Sequence, residues 1–491
     1  MFFLAVAVAA VLFSIFPLTD TDIWWHLACA REWVQTWTPS RSPVVNVHEY
    51  FQRVVGFVYG IGGAPLLVAF KAVLWGIVFA LFLLPQRKTC TESQSKSATL
   101  AGVTLAALIF FIFRYHFEIR PVLFSLLFLG IFWNLLPHIF RASRLASRTY
   151  FLLLFILVIQ WLWCKCQGLY ILGPLFAVAV LASAWLDAWR LKIKLPKRLR
   201  LFHVGVVLAL LAMPFMHSEG LNLFLYPFGL LDRLVGMTPS AAAFASEIAE
   251  NRSPFTLLMA GENALECVVM IVLCAAGLVF AAWTAFKGRC GLIHICLFAT
   301  AVLALIAERN FVLFMPVFLC GVVSFCNSLG PRLEARVSYV SFLVMIAFLL
   351  GLWVRSLFAY DSSMIAFQRV PVDAAAWMAS HPHEGRLFND DRAGGYLAFV
   401  NPNDSVYIDG RFILKTADFF ERYLRYADEP ALFMHDADSL RIGRAIFPLR
   451  YYARWGNLVS VLVPHEDWEV VYRDSLYIVL NHSFRNLVSE R

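Results

Sequence analysis

Apolar stretches of roughly the length that crosses a bilayer recur along most of the chain, separated by short polar breaks. A hydrocarbon core takes roughly 17–25 residues of helix. Stretches near 2–18, 64–85, 98–115, 119–137, 150–164, 168–189, 201–216, 263–285, 290–307, 310–329 and 337–355 meet or approach that length and predict eleven spans. The first lacks a basic flank and has no small-residue cleavage site before Asp20, so it reads as a retained span rather than a removed signal. After it, Ile23, Leu27, Ala30, Val34 and Trp37 fall on one helical stripe. That spacing predicts a helix lying in the interface, with Trp24 and Trp25 at headgroup depth.

Beyond residue 355 the pattern changes. VDAAAWMASHP and ADFFERYLRYA have helical periodicity, and RLFND, GYLAFV and SVYID read as short strands bounded by Gly, Asn and Asp. WEVVYRDSLYIVL reads as a hairpin turning near Arg473 and Asp474. The expected architecture is a polytopic α-helical membrane domain, 1–355, with long outer loops at 19–63 and 217–262, followed by a soluble mixed α/β domain, 356–491.

Composition agrees: 60% of the residues are hydrophobic and 15% charged, against about 25% charged in soluble proteins. Charge supplies the orientation. Arg87, Lys88 and Lys96 follow the second span, and Arg141, Arg144 and Arg148 the fourth. The run RLKIKLPKRLR follows the sixth, Lys287 and Arg289 the eighth, Arg332 and Arg336 the tenth. Every even-numbered exit is basic, which places those exits in the cytoplasm, the N-terminus inside and the C-terminal domain outside. From Asp361 onward there are 18 acidic and 14 basic residues, a net −4, so the remainder must carry +12 to give the total of +8. The run RLKIKLPKRLR suits anionic lipid headgroups; it has no interleaved aromatic residues for base stacking, which argues against nucleic acid. The ten cysteines show no zinc spacing, and none follows Cys326, so disulfides do not hold the outer domain together.

The candidate chemistry is polar and gathers at the outer ends of the spans. Thr19-Asp20-Thr21-Asp22 precedes the WWHL segment. Asp22 as a helix cap explains one aspartate and leaves the other surplus. In extended chain the two share a face and suit a divalent cation or the activation of a hydroxyl. RYHFEIRP places Arg114, His116, Glu118 and Arg120 between the third and fourth spans. His48 and Glu49 lie in the first outer loop, Glu250 in the long outer loop and Arg309 at the end of the ninth or tenth span. Acids and arginines on one membrane face suit a phosphate-bearing lipid, since guanidinium binds phosphate oxygens bidentately. GIGG at Gly60–Gly63 precedes a span rather than a strand–turn–helix unit, so a nucleotide loop is not expected. DDRAGG and DGR (Asp409–Arg411) are expected to be turns between strands.

TDTDIWWHLACAREW, HEY, RPVLFS, IAENRSPF, ERNFVLFMP, GRLFND, GGYLAF and YIDGR occur in this order along nearly the whole chain. In that order of parts the chain resembles the GT-C superfamily of polytopic glycosyltransferases, and more closely a large group of bacterial GT-C-like membrane proteins. It departs from that group at WLWCKCQG, where Lys165 and Gln167 stand in place of an Asn and a His, and at MPFMHSEG, where an NPxG-like turn is usual. The resemblance implies a multi-pass protein of the bacterial inner membrane. It implies an inverting transfer from a polyprenyl-phosphate-linked sugar to a lipid, glycan or protein acceptor. Asp22, or Asp20, would be the catalytic carboxylate. Arg120 and Arg309, with Glu250, His48 and Glu49, would bind substrate, and Asp20, Asp22, Glu118 and His116 would be ligands for Mg or Mn if a metal is used. Two other readings remain: a non-catalytic assembly subunit of the cell envelope, and a lipid or polymer transporter. The transporter is disfavoured because Lys71 is the main charge at mid-depth in the early spans.

Overall fold

The computed structural model describes residues 2–41, 44–85, 96–142, 144–235, 244, 247–329 and 335–484. Among these, each of the eleven predicted spans contains a helix. In chain order the membrane part has α1 (Phe2–Phe13), α2 (Asp22–Arg31), α3 (Glu49–Leu83), α4 (Lys96–Ile112), α5 (Pro121–Phe140), α6 (Ser147–Cys164) and α7 (Leu172–Arg190). It continues with α8 (Lys197–Ala212), α9 (Gly220–Val235), α10 (Pro254–Met259), α11 (Ala264–Phe286), α12 (Leu292–Ile306), α13 (Phe311–Leu329) and α14 (Ala335–Leu357). Seven segments among the described residues are both long and apolar enough to cross a membrane; α1, α4, α9, α12 and α14 contribute shorter apolar helices. The chain is therefore a multi-pass membrane protein.

α3 starts well before the expected span because its outer part is also helical. Gly62 and Gly63 leave helical geometry, Gly63 at φ +62°, a conformation that glycine adopts without steric cost. The break separates an outer helix from the span proper. GIGG is thus a helix kink.

Contacts sort the loops onto two ends. Arg141 pairs with Asp187 at 3.1 Å, and Arg190 Nη1 donates to the Cys290 carbonyl at 2.6 Å. These join exits four, six and eight. Arg87, Lys88 and Arg332 lie outside the described residues. At the opposite end, Lys165 pairs with Glu49 at 3.1 Å and with Glu219, tying the first outer loop to those after α6 and α8.

The outer part contains α15 (Val372–Ser380), β1 (Arg386–Asn389), α16 (Asp391–Val400), α17 (Ala417–Arg425), α18 (Pro430–Leu440), β2 (Ile442–Pro448), α19 (Gly456–Leu462), β3 (Trp468–Arg473) and β4 (Tyr477–His482). Its sheet has the order β1-β2-β4-β3: β1 is parallel to β2, and the other pairs are antiparallel. Both expected helices and the hairpin form. GYLAFV, however, is the second half of α16, not a strand. Asp390 caps that helix, its Oδ1 accepting from Ala393 N at 3.0 Å, and every residue from Ala393 to Phe399 is buried. An all-round apolar run bounded by a cap fits a buried helix as well as a strand. SVYID joins no sheet and bends at Tyr407. β2, buried at every position, carries no alternation and was not expected.

The expected interfacial helix is a docking element instead. α2 is ten residues long, and Ile23 to Ala28 are all buried. Trp24 is 0% exposed and packs edge-on to Tyr396 at 4.8 Å and against Phe399 at 5.6 Å, both on α16. The rest of the first outer loop runs along the outer part: Trp37 N donates to Val406 O at 3.1 Å and Arg41 N to Leu414 O at 2.8 Å. Leu18 and Ile365 form a parallel bridge. One apolar core continues from α1 and α3 through α2 into α15 and α16.

Candidate active site

Asp20 lies between α1 and α2, and Asp22 is the first residue of α2. Asp22 does not cap its helix; Thr21 occupies the cap position and makes no side-chain bond. Asp20 takes part of that role, its Oδ1 accepting from Asp22 N at 3.3 Å. The same Oδ1 accepts from Arg120 Nη2 at 3.0 Å, and Arg120 Nη1 reaches both oxygens of Glu250, at 2.8 and 2.6 Å. Arg120 immediately precedes Pro121, which begins α5 with an already fixed φ. The guanidinium therefore starts from a rigid helix end and bridges two loops remote in sequence.

Around this bridge, buried polar atoms lack partners among the described residues. They include Asp20 Oδ2, Glu118 Oε2, Arg120 Nε, Trp25 Nε1 and His26 Nδ1. Asp20 is 6% exposed and Glu118 8%. Orphaned buried polar groups cost about 1–3 kcal/mol each, so their gathering beside one arginine marks a place that water or a ligand fills. Glu118 accepts from Thr19 Oγ1, and its backbone carbonyl accepts from Trp75 Nε1 at 3.2 Å. Beneath it the Lys71 ammonium, fully buried, donates to Phe16 O at 3.2 Å and lies 3.3 Å from the Phe16 ring centroid.

The electrostatics separate the acids. Burial, and then the neighbouring Asp20 charge, push Asp22 up to about 8. Burial likewise lifts Glu118 above the usual carboxylate range, partly offset by Lys71. Burial would also raise Glu250, but the Arg120 charge and its hydrogen bonds outweigh that and hold it down at about 2. Trp25 Nε1 is turned toward the Asp22 carboxylate without closing a hydrogen bond.

Arg309 stands at the rim. It is exposed, and its Nη1 donates to Asn251 Oδ1 at 2.8 Å. Glu308 N donates to Arg252 O at 3.1 Å, which ties its turn to the Glu250 loop. The other expected residues lie apart from the Arg120 bridge. His48 Nδ1 faces the Cys166 carbonyl at 3.2 Å, behind His26 and Trp25. Glu49 is engaged with Lys165 and Arg53.

The expected metal set of Asp20, Asp22, Glu118 and His116 does not form one ligand cluster among the described residues. Arg120 supplies the positive charge to Asp20 instead. His116 joins Glu266 and Glu308, with one ligand atom from each within 4.8 Å of the others. An imidazole and two carboxylates are a donor set for zinc or manganese. Glu266 was legible as an acid in the first turn of an apolar helix. Glu308 was hidden beside the more conspicuous Arg309.

No protein-family model matches the sequence, and a search of curated proteins returns no match. Solved structures do. An oligosaccharyltransferase of Archaeoglobus fulgidus, tethered by a disulfide to an acceptor peptide containing the NVT sequon, matches at a TM-score of 0.54 and 15% identity, over 98% of this chain and 74% of that one. The same organism's oligosaccharyltransferase in complex with Zn and sulfate matches at 0.51 and 14%, over 98% and 73%. The oligosaccharyltransferase AglB of A. fulgidus, in complex with an inhibitory peptide and a dolichol-phosphate, matches at 0.50 and 14%, over 91% and 69%. At such identity the likeness speaks to the fold, and the fold is GT-C-like, with a small mixed sheet following the helices.

Proposed function

We propose that this chain is a membrane glycosyltransferase that uses a polyprenyl-phosphate-linked sugar at the outer face of the bacterial inner membrane. The observation that carries the reading is the Arg120 bridge: one guanidinium held between Asp20 and Glu250, with unpartnered buried oxygens and nitrogens beside it. The fold shared with structures that hold dolichol-phosphate and an acceptor peptide supports it.

Asp22 is the general base. It takes the proton of an acceptor hydroxyl as that oxygen bonds to the anomeric carbon. The bond from that carbon to the phosphate oxygen breaks, its electron pair leaves on the polyprenyl phosphate, and the configuration inverts. A base with its pKa near the working pH balances proton affinity against availability, and the lift on Asp22 favours it over Glu250, which stays ionised. Arg120 is committed to two carboxylates and acts mainly by holding Asp20. Arg309, exposed at the rim, is better placed to meet the leaving phosphate. A divalent cation held by His116, Glu266 and Glu308 would add positive charge beside that phosphate.

The test is consumption of a panel of polyprenyl-phosphate hexoses and pentoses by the purified full chain, with membrane extract as the source of acceptors. One donor should be consumed by the wild type and spared by an equally folded Asp22→Asn. Equal consumption by Asp22→Asn would favour a different base, and an inert wild type the non-catalytic alternative.

A further inference from the structure

The outer segment Asp409–Arg411 lies directly against the Asp22 carboxylate. A Cβ on Gly410 would come within 1.9 Å of Asp22 Oδ1 and 3.1 Å of Trp25 Nε1. Gly410 is not among the glycines with positive φ, so space rather than backbone freedom demands glycine here. Its neighbours are locked. Arg411 Nε donates to Asp409 Oδ1 and Oδ2 at 3.0 and 3.1 Å, Nη2 to Oδ2 at 2.5 Å, and Arg411 N to Oδ1 at 2.9 Å.

Both residues are buried, at 1% and 8% exposure. The guanidinium lies 5.3 Å from the Trp25 ring and 4.9 Å from the Trp33 ring, and its Nη1 meets Cys29 Sγ at 3.4 Å. Trp25 and Cys29 share α2 with Asp22. From the other side, α16 is wedged against the same parts: a Cβ on Gly394 would reach Ile408 O at 1.9 Å, and one on Gly395 would reach Trp25 N at 3.0 Å. A buried ion pair adds little net stability because desolvation offsets its attraction. Its use here is to fix geometry.

We propose that Asp409, Gly410 and Arg411 form a positioning unit, supplied by the outer part of the chain, that sets the rotamer and water access of the Asp22 carboxylate. The base is then assembled only when the outer part is docked on α2. This rests on the reading of Asp22 as the base, and the charged groups around that carboxylate are Asp20 on its own strand of chain, Arg120 and Glu250 across the site, and Arg309 at the rim; Arg411 is turned to Asp409.

The test uses the full chain in detergent or nanodiscs, with Gly410→Ala as the first variant. The infrared carboxyl band of Asp22, identified by its loss in Asp22→Asn, should titrate at a higher pH in Gly410→Ala, because the added methyl displaces the carboxylate and excludes water. With a consumed donor, kcat should fall on the order of 10²-fold, the cost of a misplaced group of about 1 Å, while KM stays within about twofold. In an Asp22→Asn background, Gly410→Ala should cost nothing further. If Gly410→Ala does not fold, Arg411→Lys, which keeps the charge and loses the fork, decides by the same readings. An unmoved titration and an unchanged kcat overturn the proposal even if Asp22→Asn is inactive. A wild type inert to every donor defeats the transferase reading, and the infrared titration still decides the contact.

Discussion

Asp20 and Asp22 are two residues apart, yet the structure gives them different work. Asp20 spends one oxygen on Arg120 at 3.0 Å and its charge lifts the Asp22 carboxyl, so Asp20→Asn should loosen that bridge and move the acid limb of the pH–rate profile to lower pH. Among the described residues Asp22 makes no ion pair, and it sits where burial raises its carboxyl. Asp22→Asn should lower kcat by roughly 10²–10⁴-fold with little effect on thermal stability, measured on the purified protein. A base works only when ionised, so transfer should increase as pH rises through the Asp22 titration. The acid limb should then lie near 8 rather than near the about 4 of an ordinary aspartate. Arg120→Lys keeps the charge but cannot donate to both oxygens of Glu250 and to Asp20 at once. It should cost nearly as much activity as Arg120→Ala, read in the same assay.

Among the elements, α2 joins the two halves of the chain. Its WWHL residues face inward, and Trp24 fills the seam between α3 and α16, 6.1 Å from Tyr59 and 4.8 Å from Tyr396. Truncation of a buried aromatic costs about 3–5 kcal/mol. Trp24→Ala should therefore lower the melting midpoint and expose the 356–371 connection to added protease before the membrane helices unfold. The same placement explains why the apolar stripe from Ile23 to Trp37 misled: periodicity reports that a face is buried, not whether lipid or protein buries it. GYLAFV misled for a related reason. A short apolar run fits a buried strand and a buried helix equally, and the Asp390 cap that decides between them depends on backbone geometry.

For the molecule as a whole, the two ends of the helical bundle carry different chemistry. One end holds the Arg141–Asp187 and Arg190–Cys290 contacts; the other holds the Arg120 bridge and the Lys165 pairs. We propose that the first faces the cytoplasm, from its basic exits. On a background with native cysteines replaced, a membrane-impermeant maleimide should label Ser362→Cys in intact cells, and Ala146→Cys only after permeabilisation. The reverse pattern would invert the orientation and take the site to the cytosol.

Hydrophobic spacing alone determined that this chain enters a membrane many times and ends in a mixed α/β unit, because a span of about 20 apolar residues has no other solvent. Local chemistry also exposed Asp20, Asp22, Arg120, Glu250 and Arg309 as charged groups at helix ends, where charge is costly to place without use. Only the tertiary structure decided which of them meet. Arg120 and Glu250 are 130 positions apart, and no local pattern encodes a pairing created by loops converging over a bundle end. Nor does any pattern show that His116 turns to Glu266 and Glu308, or that Gly410, far along the chain, leaves the Asp22 carboxylate its room. Those outcomes follow from packing, in which the volume left by one element sets the residue that another can place there.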